Sequence, residues 1–251
     1  MSVELKKSLG IILRIGKKGE TTKIGTVFTR DDGKILLVAK GARKPLSRLA
    51  PAMDLGNLAE FIYYKKENQD YHLVSQATLL DQYEELKRDL AKFEILNCIL
   101  ELTDIATPYG EENFKLFALI RSTLESLKDG NWARSNVVLA YSLKLLKVQG
   151  FQPELERCVE CGKGLGGVRG FLSVEHGGVL CPVCAEKNPP ASLVELRPDI
   201  RLILEKFLRS SLEKIRNVKL AFDQTLFLRE IIKRFILFHS SDATIRCREI
   251  S

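Results

Sequence analysis

Four cysteines stand in two Cys-x-x-Cys pairs, and their spacing is the strongest chemical signal in this sequence of 251 residues. Cys158 and Cys161 form the first pair, Cys181 and Cys184 form the second, and nineteen residues separate the pairs. Two intervening residues let both thiolates of a pair reach one ion around a tight turn. The spacing therefore predicts one zinc ion with a structural role, because four thiolates leave no position open for a reacting water.

Other chemistry for these cysteines is less well supported. Thiol redox pairs or disulfides remain alternatives, but a thioredoxin-like pair needs a βαβ setting that is absent here. His176 stands between the two pairs, yet four cysteines already suffice, so we assign it to a loop. Cys98 lies in an apolar helical pattern and is expected in the core, whereas the sequence gives Cys247 no role.

No set of catalytic residues emerges elsewhere, so we predict that the protein is not an enzyme. The remaining histidines, His72 and His239, are scattered along the sequence. The sequence contains neither a Gly-x-x-x-x-Gly-Lys-Ser/Thr phosphate loop nor a Gly-x-Ser-x-Gly nucleophile elbow. A zinc hydrolase would need an open metal position, which a shell of four cysteines does not offer.

The formal net charge of +7 is distributed in three blocks. Residues 1–80 hold 14 basic and 8 acidic residues, a balance of +6. Residues 81–156 hold 9 basic and 13 acidic residues (−4), and residues 157–251 hold 16 basic and 11 acidic residues (+5). This alternation suggests that one surface meets a polyanion such as nucleic acid, although an ordinary solvated surface is the alternative.

Residues 40–48 form the densest cationic stretch of the first block, with four basic residues among nine. Lysine and arginine neutralise phosphates, and Gly41 permits a backbone amide to approach one closely. Three lysines near the first strand turn extend the patch. The predicted DNA-binding residues are therefore Lys40, Arg43, Lys44, Arg48, Lys17, Lys18 and Lys23. A solvated loop without a ligand is the alternative.

Further candidates for nucleic-acid contact are weaker. Arg197 and Arg201 are candidates for a second basic patch that meets DNA or an acidic peptide. Phe28, Tyr63 and Tyr64 are candidates to stack on bases, although aromatic residues in strands more often belong to the core.

The secondary structure that must position these residues is predicted to change from strands to helices after residue 80. Five short strands are predicted before it: Ser8–Ile15, Lys23–Thr29, Lys34–Lys40, Asp54–Tyr64 and Tyr71–Leu80. Five helices are predicted after it: Leu86–Leu102, Asn113–Leu127, Trp132–Val148, Arg197–Leu212 and Asp223–Phe238. Five strands of this length fit a closed OB-fold barrel, which commonly binds nucleic acid.

The predicted fold class is therefore α+β. It consists of an OB-fold domain over residues 1–80 and a helical bundle domain over residues 81–251, which carries the zinc module at about residues 155–188. No apolar stretch is long enough to span a membrane, and the apolar N-terminal stretch is broken by Arg14 without a signal-peptide cleavage site. We therefore expect a cytoplasmic protein with no membrane partner.

Several blocks of the sequence, in their order, resemble the RecO family of bacterial recombination mediators, in its zinc-containing branch. Residues 29–34 lead into residues 39–44 and then Ser47-Arg48, and Leu116-Phe117 follows in the helical part. The blocks at residues 150–155 and 177–184 flank and complete the cysteine region. The order of these blocks is more specific than any one of them.

The resemblance implies a non-enzymatic role in DNA repair and homologous recombination, associated with the nucleoid. It implies binding to single- and double-stranded DNA, annealing of complementary strands, and help in loading the RecA recombinase onto DNA coated by single-strand-binding protein. The implied protein partners are RecR and the acidic C-terminal tail of single-strand-binding protein, with RecA as an indirect one. A scaffold that binds only proteins is the competing hypothesis.

Overall fold

The chain folds into two compact units. The structure is a computed structural model, and it describes residues 3–66, 71–187, 193–216, 218–240, 244–247 and 250. The first unit, Met1–Gly130, holds a closed β-barrel followed by three helices, and the second unit, Asn131–Ser251, holds the remaining helices and a small sheet. The predicted α+β class is confirmed. The predicted domain limits stay a prediction, and the end of the zinc module at residue 188 lies outside the described residues.

The barrel has the strand order of an OB-like fold. Its strands are β1 (Val3–Lys18), β2 (Thr22–Thr29), β3 (Gly33–Ala39), β4 (Leu58–Lys66) and β5 (Tyr71–Asp81). They close in the order β1-β2-β3-β5-β4, and only β3 and β5 pair in parallel. β1 is longer than its predicted range because its first half pairs with β4 and its second half with β2.

The turn between β2 and β3 depends on a glycine. Gly33 has a φ of +63°, and a β-carbon there would lie 1.9 Å from the carbonyl oxygen of Glu111. Both the backbone conformation and the close approach exclude any larger residue. Gly33 therefore fixes the start of β3 against the segment before the third helix.

A buried carboxylate beside this turn ties three parts of the barrel together. Asp32 accepts hydrogen bonds from the Tyr63 hydroxyl, from the Lys65 ammonium and, over 3.2 Å, from the Lys6 ammonium. Burial opposes ionisation of this carboxyl, but the three donors outweigh burial and lower the pKa of Asp32. The negative charge of Asp32 therefore contributes to the stability of the barrel.

Replacing Asp32 with asparagine is expected to reduce the free energy of unfolding by about 2 kcal/mol at neutral pH, because two ammonium groups and a phenol lose their charged acceptor. Folding lowers the pKa of Asp32, so its contribution is present above the unfolded value of about 3.9 and is lost as the pH falls through the folded value. Urea unfolding of wild type and Asp32→Asn should therefore give curves that converge as the pH is lowered.

Glu60→Gln is the matched control for this prediction. Glu60 pairs with Lys7 over 2.9 Å at the barrel surface, where an ion pair contributes less than about 1 kcal/mol. Equal losses of stability from the two substitutions, or a difference between wild type and Asp32→Asn that does not change with pH, would contradict the role of Asp32.

Three helices complete the first unit: α1 (Glu84–Arg88), α2 (Leu90–Ala106) and α3 (Phe114–Lys128). The prediction of one uninterrupted helix over Leu86–Leu102 is wrong at Asp89. The backbone of Asp89 is extended, and its side chain accepts a bond from the Lys92 amide that begins α2. The Lys34 ammonium of β3 lies 3.2 Å from the Asp104 carboxylate of α2, which attaches the helix to the barrel.

The second unit surrounds one central helix. Its elements are α4 (Arg134–Val148), β6 (Gly170–Ser173), β7 (Gly178–Leu180), α5 (Pro182–Lys187), β8 (Val194–Leu196), α6 (Pro198–Arg209), α7 (Leu212–Ile215) and α8 (Phe222–Phe238). α4 is buried along most of its length and packs against α6, α7 and α8, while β7, β6 and β8 form an antiparallel sheet beside the cysteine pairs. Among the described helices, none combines the length and the apolar character needed to cross a membrane.

Candidate nucleic-acid interface and metal centre

The basic side chains of the barrel divide into two groups according to their carboxylate partners. One group pairs with a carboxylate within 4.0 Å: Lys6, Lys7, Arg14, Arg30, Lys34 and Lys65. The other group has no such partner among the described residues: Lys17, Lys18, Lys23, Lys40, Arg43, Lys44 and Arg48. This second group, which we call the barrel cation surface, consists of the seven residues predicted to bind DNA.

The loop after β3 is held at both ends by the barrel core. Ala42 near its start and Met53 near its end are buried in that core. Between them, successive turns are closed by backbone hydrogen bonds from the Lys44 amide to the Gly41 carbonyl (3.0 Å) and from the Ser47 amide to the Lys44 carbonyl (3.2 Å). The loop therefore presents its cations from a hydrogen-bonded backbone.

Two hydrogen bonds join this loop to the turn between β1 and β2. The Arg43 amide donates to the Thr21 carbonyl and the Arg43 guanidinium donates to the Gly19 carbonyl, each over 2.9 Å. Lys17 and Lys18 are the last residues of β1, immediately before this turn. The fold therefore brings the two predicted clusters of cations to the same end of the barrel.

Some members of the barrel cation surface also make internal contacts. The Lys23 ammonium is partly buried and donates to the Met53 carbonyl over 2.8 Å, so it supports the loop as well as adding charge. The Lys18 ammonium lies 5.1 Å from the centre of the Tyr71 ring, a cation–π contact. Lys40, Lys44 and Arg48 are exposed, and their positive charges face solvent.

The aromatic candidates separate by the face of the strand on which they lie. Phe28 and Tyr63 are buried completely, so they belong to the core rather than to a binding surface. Tyr64 follows Tyr63 on β4 and points to the opposite face, where it is exposed. Only Tyr64 of the three is therefore accessible to a base.

The two arginines of the second predicted patch have different surroundings. Arg201 is only 5% exposed, lies 3.7 Å from Glu205 and donates to the Val168 carbonyl over 3.4 Å. Arg197 is exposed, but its guanidinium already lies 3.2 Å from Asp199. Because Arg201 is buried and Arg197 is paired with a carboxylate, we do not include these two arginines in the candidate DNA-binding surface.

The four predicted metal ligands come together in the second unit. Their sulfur atoms all lie within 4.8 Å of one another, and those of Cys161 and Cys181 are 3.8 Å apart. Four sulfurs at about 2.3 Å from one zinc ion would be separated by about 3.8 Å in a tetrahedron. The arrangement therefore fits a closed four-sulfur site, and the described part of the chain adds no histidine or carboxylate to it.

Backbone hydrogen bonds hold the two cysteine pairs together. The Cys158 amide donates to the Lys163 carbonyl and the Gly162 amide donates to the Cys158 carbonyl, each over 2.8 Å, so the first pair lies in a closed turn. The Val159 amide donates over 3.0 Å to the carbonyl of Val179 in β7, the strand that leads into the second pair. The local fold thus positions the four sulfurs by main-chain contacts.

The protonation of the thiols is consistent with a site for a divalent cation. Burial opposes ionisation of Cys158, but backbone amides, including that of Cys181 at 3.3 Å from the sulfur, lower the pKa of the Cys158 thiol to about 6. Burial and hydrogen bonds with the other thiols raise the pKa of Cys184 to about 12. One thiolate therefore forms readily while further negative charge is opposed, and a divalent cation would supply the missing compensation.

A histidine ligand and disulfides within the cluster do not match the geometry. His176 lies outside the sulfur cluster, with its Nδ1 atom 3.0 Å from the Ser173 hydroxyl, so its assignment to a loop is confirmed. All four clustered cysteines are thiols and not disulfides. Cys98 is buried within α2, as its position in an apolar pattern predicts.

Relatives of this chain are DNA repair proteins. A protein of Chlorobium phaeobacteroides named DNA repair protein RecO is 29% identical over 245 residues, which cover 94% of this chain and 93% of the relative. A protein of the same name from Caldanaerobacter subterraneus is 31% identical over 212 residues, 84% of this chain and 83% of the relative. One from Prosthecochloris aestuarii is 35% identical over 161 residues, 64% of this chain and 61% of the relative.

Two family models together match most of the chain. The model described as Recombination protein O N terminal matches residues 1–83, and the model described as Recombination protein O C terminal matches residues 87–246. The chain belongs to the RecO family, and the predicted resemblance is confirmed. Membership of a family of DNA repair proteins implies a role in recombinational repair.

Proposed function

We propose that this chain is a recombination mediator. It binds single- and double-stranded DNA, anneals complementary strands and helps load the RecA recombinase onto DNA coated by single-strand-binding protein. The observation that carries the proposal is the barrel cation surface, where seven basic side chains at one end of an OB-like barrel have no carboxylate partner among the described residues. Relatives named DNA repair proteins add support.

The chemistry of this surface suits the phosphate backbone. A lysine or arginine that neutralises a phosphate releases condensed counterions, so the affinity gained is electrostatic and falls with salt. Phosphate contacts carry no direct sequence information, and the same surface can therefore serve single strands and duplexes. Base contacts would be secondary to this attraction.

Annealing by such a surface needs no catalytic residue. Two single strands repel each other through their phosphates, and this repulsion slows their encounter. Cations that screen the phosphates raise the rate of encounter while the bases remain able to pair. We therefore propose a non-enzymatic protein that works at the nucleoid, where its DNA substrate lies.

We also propose one structural zinc ion in the second unit, with RecR and the acidic C-terminal tail of single-strand-binding protein as protein partners. Cys158, Cys161, Cys181 and Cys184 would hold the ion. A bound zinc ion would cross-link the two cysteine pairs and stabilise the small sheet, without an open position for catalysis.

The proposed function is tested by titrating the protein into labelled single-stranded and duplex DNA at several salt concentrations. We expect binding to both, and a plot of log K against log salt for single strands should have a slope of up to about −5 if all seven cations meet phosphates. Binding that is absent, or that does not change with salt, would instead favour a scaffold that binds only proteins.

A further inference from the structure

Leu46 stands at the tip of the loop after β3 and is fully exposed, more so than any other large apolar side chain among the described residues. An exposed leucine loses the free energy that burial in the core would give. It lies between Lys44 and Arg48 of the barrel cation surface. The sequence already shows this apolar residue among cations, but not its complete exposure.

The backbone of Leu46 is also in an unfavourable conformation. Its φ is +62°, in the left-handed region that glycine and asparagine adopt far more readily than leucine. Among the described residues that are not glycine, only Tyr83 shares this feature. Tyr83 is buried at the start of α1, and its amide donates to the Asp81 carboxylate over 2.7 Å, so the fold explains its conformation.

Among the residues that the structure describes, no comparable contact explains the backbone conformation of Leu46. The preceding Pro45 has a restricted φ, and the Ser47 amide donates to the Lys44 carbonyl, so the turn holds the leucine outward. Exposure and backbone strain both cost free energy in the isolated protein. A strained residue of this kind suggests a role that appears when a ligand is bound.

We propose that Leu46 is a wedge that inserts between neighbouring bases of bound DNA. This inference rests on the proposed function and adds to it. A ligand of this loop must offer anionic groups to the cations and an apolar space to the leucine. DNA offers both, in its phosphates and between its stacked bases. Apolar side chains such as leucine are known to enter base steps and unstack them. A strand held with one base step opened would keep bases accessible for pairing.

The proposal is tested with a fluorescent base analogue, 2-aminopurine, in single-stranded DNA and at the junction of a partial duplex. Saturating wild-type protein should increase its fluorescence, because unstacking relieves quenching. Leu46→Ala should abolish this increase and weaken binding by less than about tenfold, because the cost of unstacking the bases offsets part of the free energy gained by burying the leucine side chain. The dependence of binding on salt should not change, because no cation is removed. Leu46→Met keeps an apolar wedge and should retain the signal.

Leu5→Ala is the matched control, since Leu5 is an exposed leucine on strand β1 outside the loop. It should leave both affinity and fluorescence unchanged, and thermal unfolding should show that Leu46→Ala is folded.

Wild-type affinity and signal in Leu46→Ala, or a reduced salt slope in that variant, would overturn the wedge. A wild-type complex that binds with salt dependence but gives no fluorescence increase would overturn the wedge and leave the proposed function intact. Absence of salt-dependent binding would overturn both.

Discussion

The double variant Lys40→Ala/Lys44→Ala is expected to bind single-stranded DNA about 20-fold more weakly than wild type at about 0.1 M salt. Both side chains are exposed members of the barrel cation surface. Each phosphate contact removed should lower the magnitude of the slope of log K against log salt by about 0.7, so the double variant should lose about 1.4. Fluorescence anisotropy over a series of salt concentrations measures both quantities.

Lys115→Ala/Arg121→Ala is the matched control for this loss of two charges. Both residues lie exposed on α3, in the acidic block of the chain, and neither belongs to the barrel cation surface. This control should keep the wild-type slope and nearly the wild-type affinity. An equal loss in the two double variants would mean that total charge, rather than the barrel cation surface, determines binding.

Cys158→Ser is expected to remove the metal from the protein and to unfold the region around the cysteine pairs. Cys158 is the most buried of the four sulfurs and belongs to the small apolar cluster of this region. Structural zinc sites contribute apparent free energies of about 10 kcal/mol or more to the folding of small domains. Metal analysis should find about one zinc per wild-type chain and almost none in the variant. Cobalt substitution should give the absorption bands of a tetrahedral thiolate site in the wild type only.

His176→Ala tests whether the shell consists of sulfur alone. His176 lies in the same region but outside the sulfur cluster, so its loss should leave the zinc content unchanged. Wild-type protein without zinc, or full zinc content in Cys158→Ser, would contradict the proposed metal centre. Loss of zinc from His176→Ala would contradict the four-cysteine assignment.

The cysteine cluster could be predicted from sequence because a Cys-x-x-Cys pair is a local feature. Two residues between the cysteines are enough to define a turn, and two such turns define one site. The sequence does not show what brings the pairs together. Gly178 allows this contact, because a β-carbon there would lie 2.6 Å from the Glu154 carbonyl oxygen and 2.7 Å from the Val159 side chain.

The limits of the secondary structure elements were less predictable where tertiary pairing or a single cap determines them. β1 extends over Val3–Lys18 because two neighbours pair with it, and sequence periodicity does not report neighbours. The break at Asp89 was hidden by apolar residues that continue at helical spacing on both sides of it. The strand predicted from Asp54 begins only at Leu58, since Gly56 has a φ of +73° and residues 54–57 form a turn.

The sequence also showed only part of the division between basic residues that pair with carboxylates and basic residues that are exposed. Lys34 and Lys40 are the first and last residues of one predicted strand, and the sequence alone gives no reason to assign them different roles. Lys34 is buried and pairs with Asp104, which lies 70 residues away in the chain, whereas Lys40 is exposed after the strand ends. Only the fold separates lysines that pair within the barrel, such as Lys34, from those that are exposed to solvent, such as Lys40.

The most direct test of the central claim is strand annealing on DNA that is already coated. Complementary single strands are covered with single-strand-binding protein, and duplex formation is followed with wild type, Lys40→Ala/Lys44→Ala and Lys115→Ala/Arg121→Ala. We expect wild type and the α3 control to accelerate annealing, and the barrel double variant to lose most of that acceleration. No acceleration by wild type, or equal acceleration by all three proteins, would contradict a mediator that acts on DNA through the barrel cation surface.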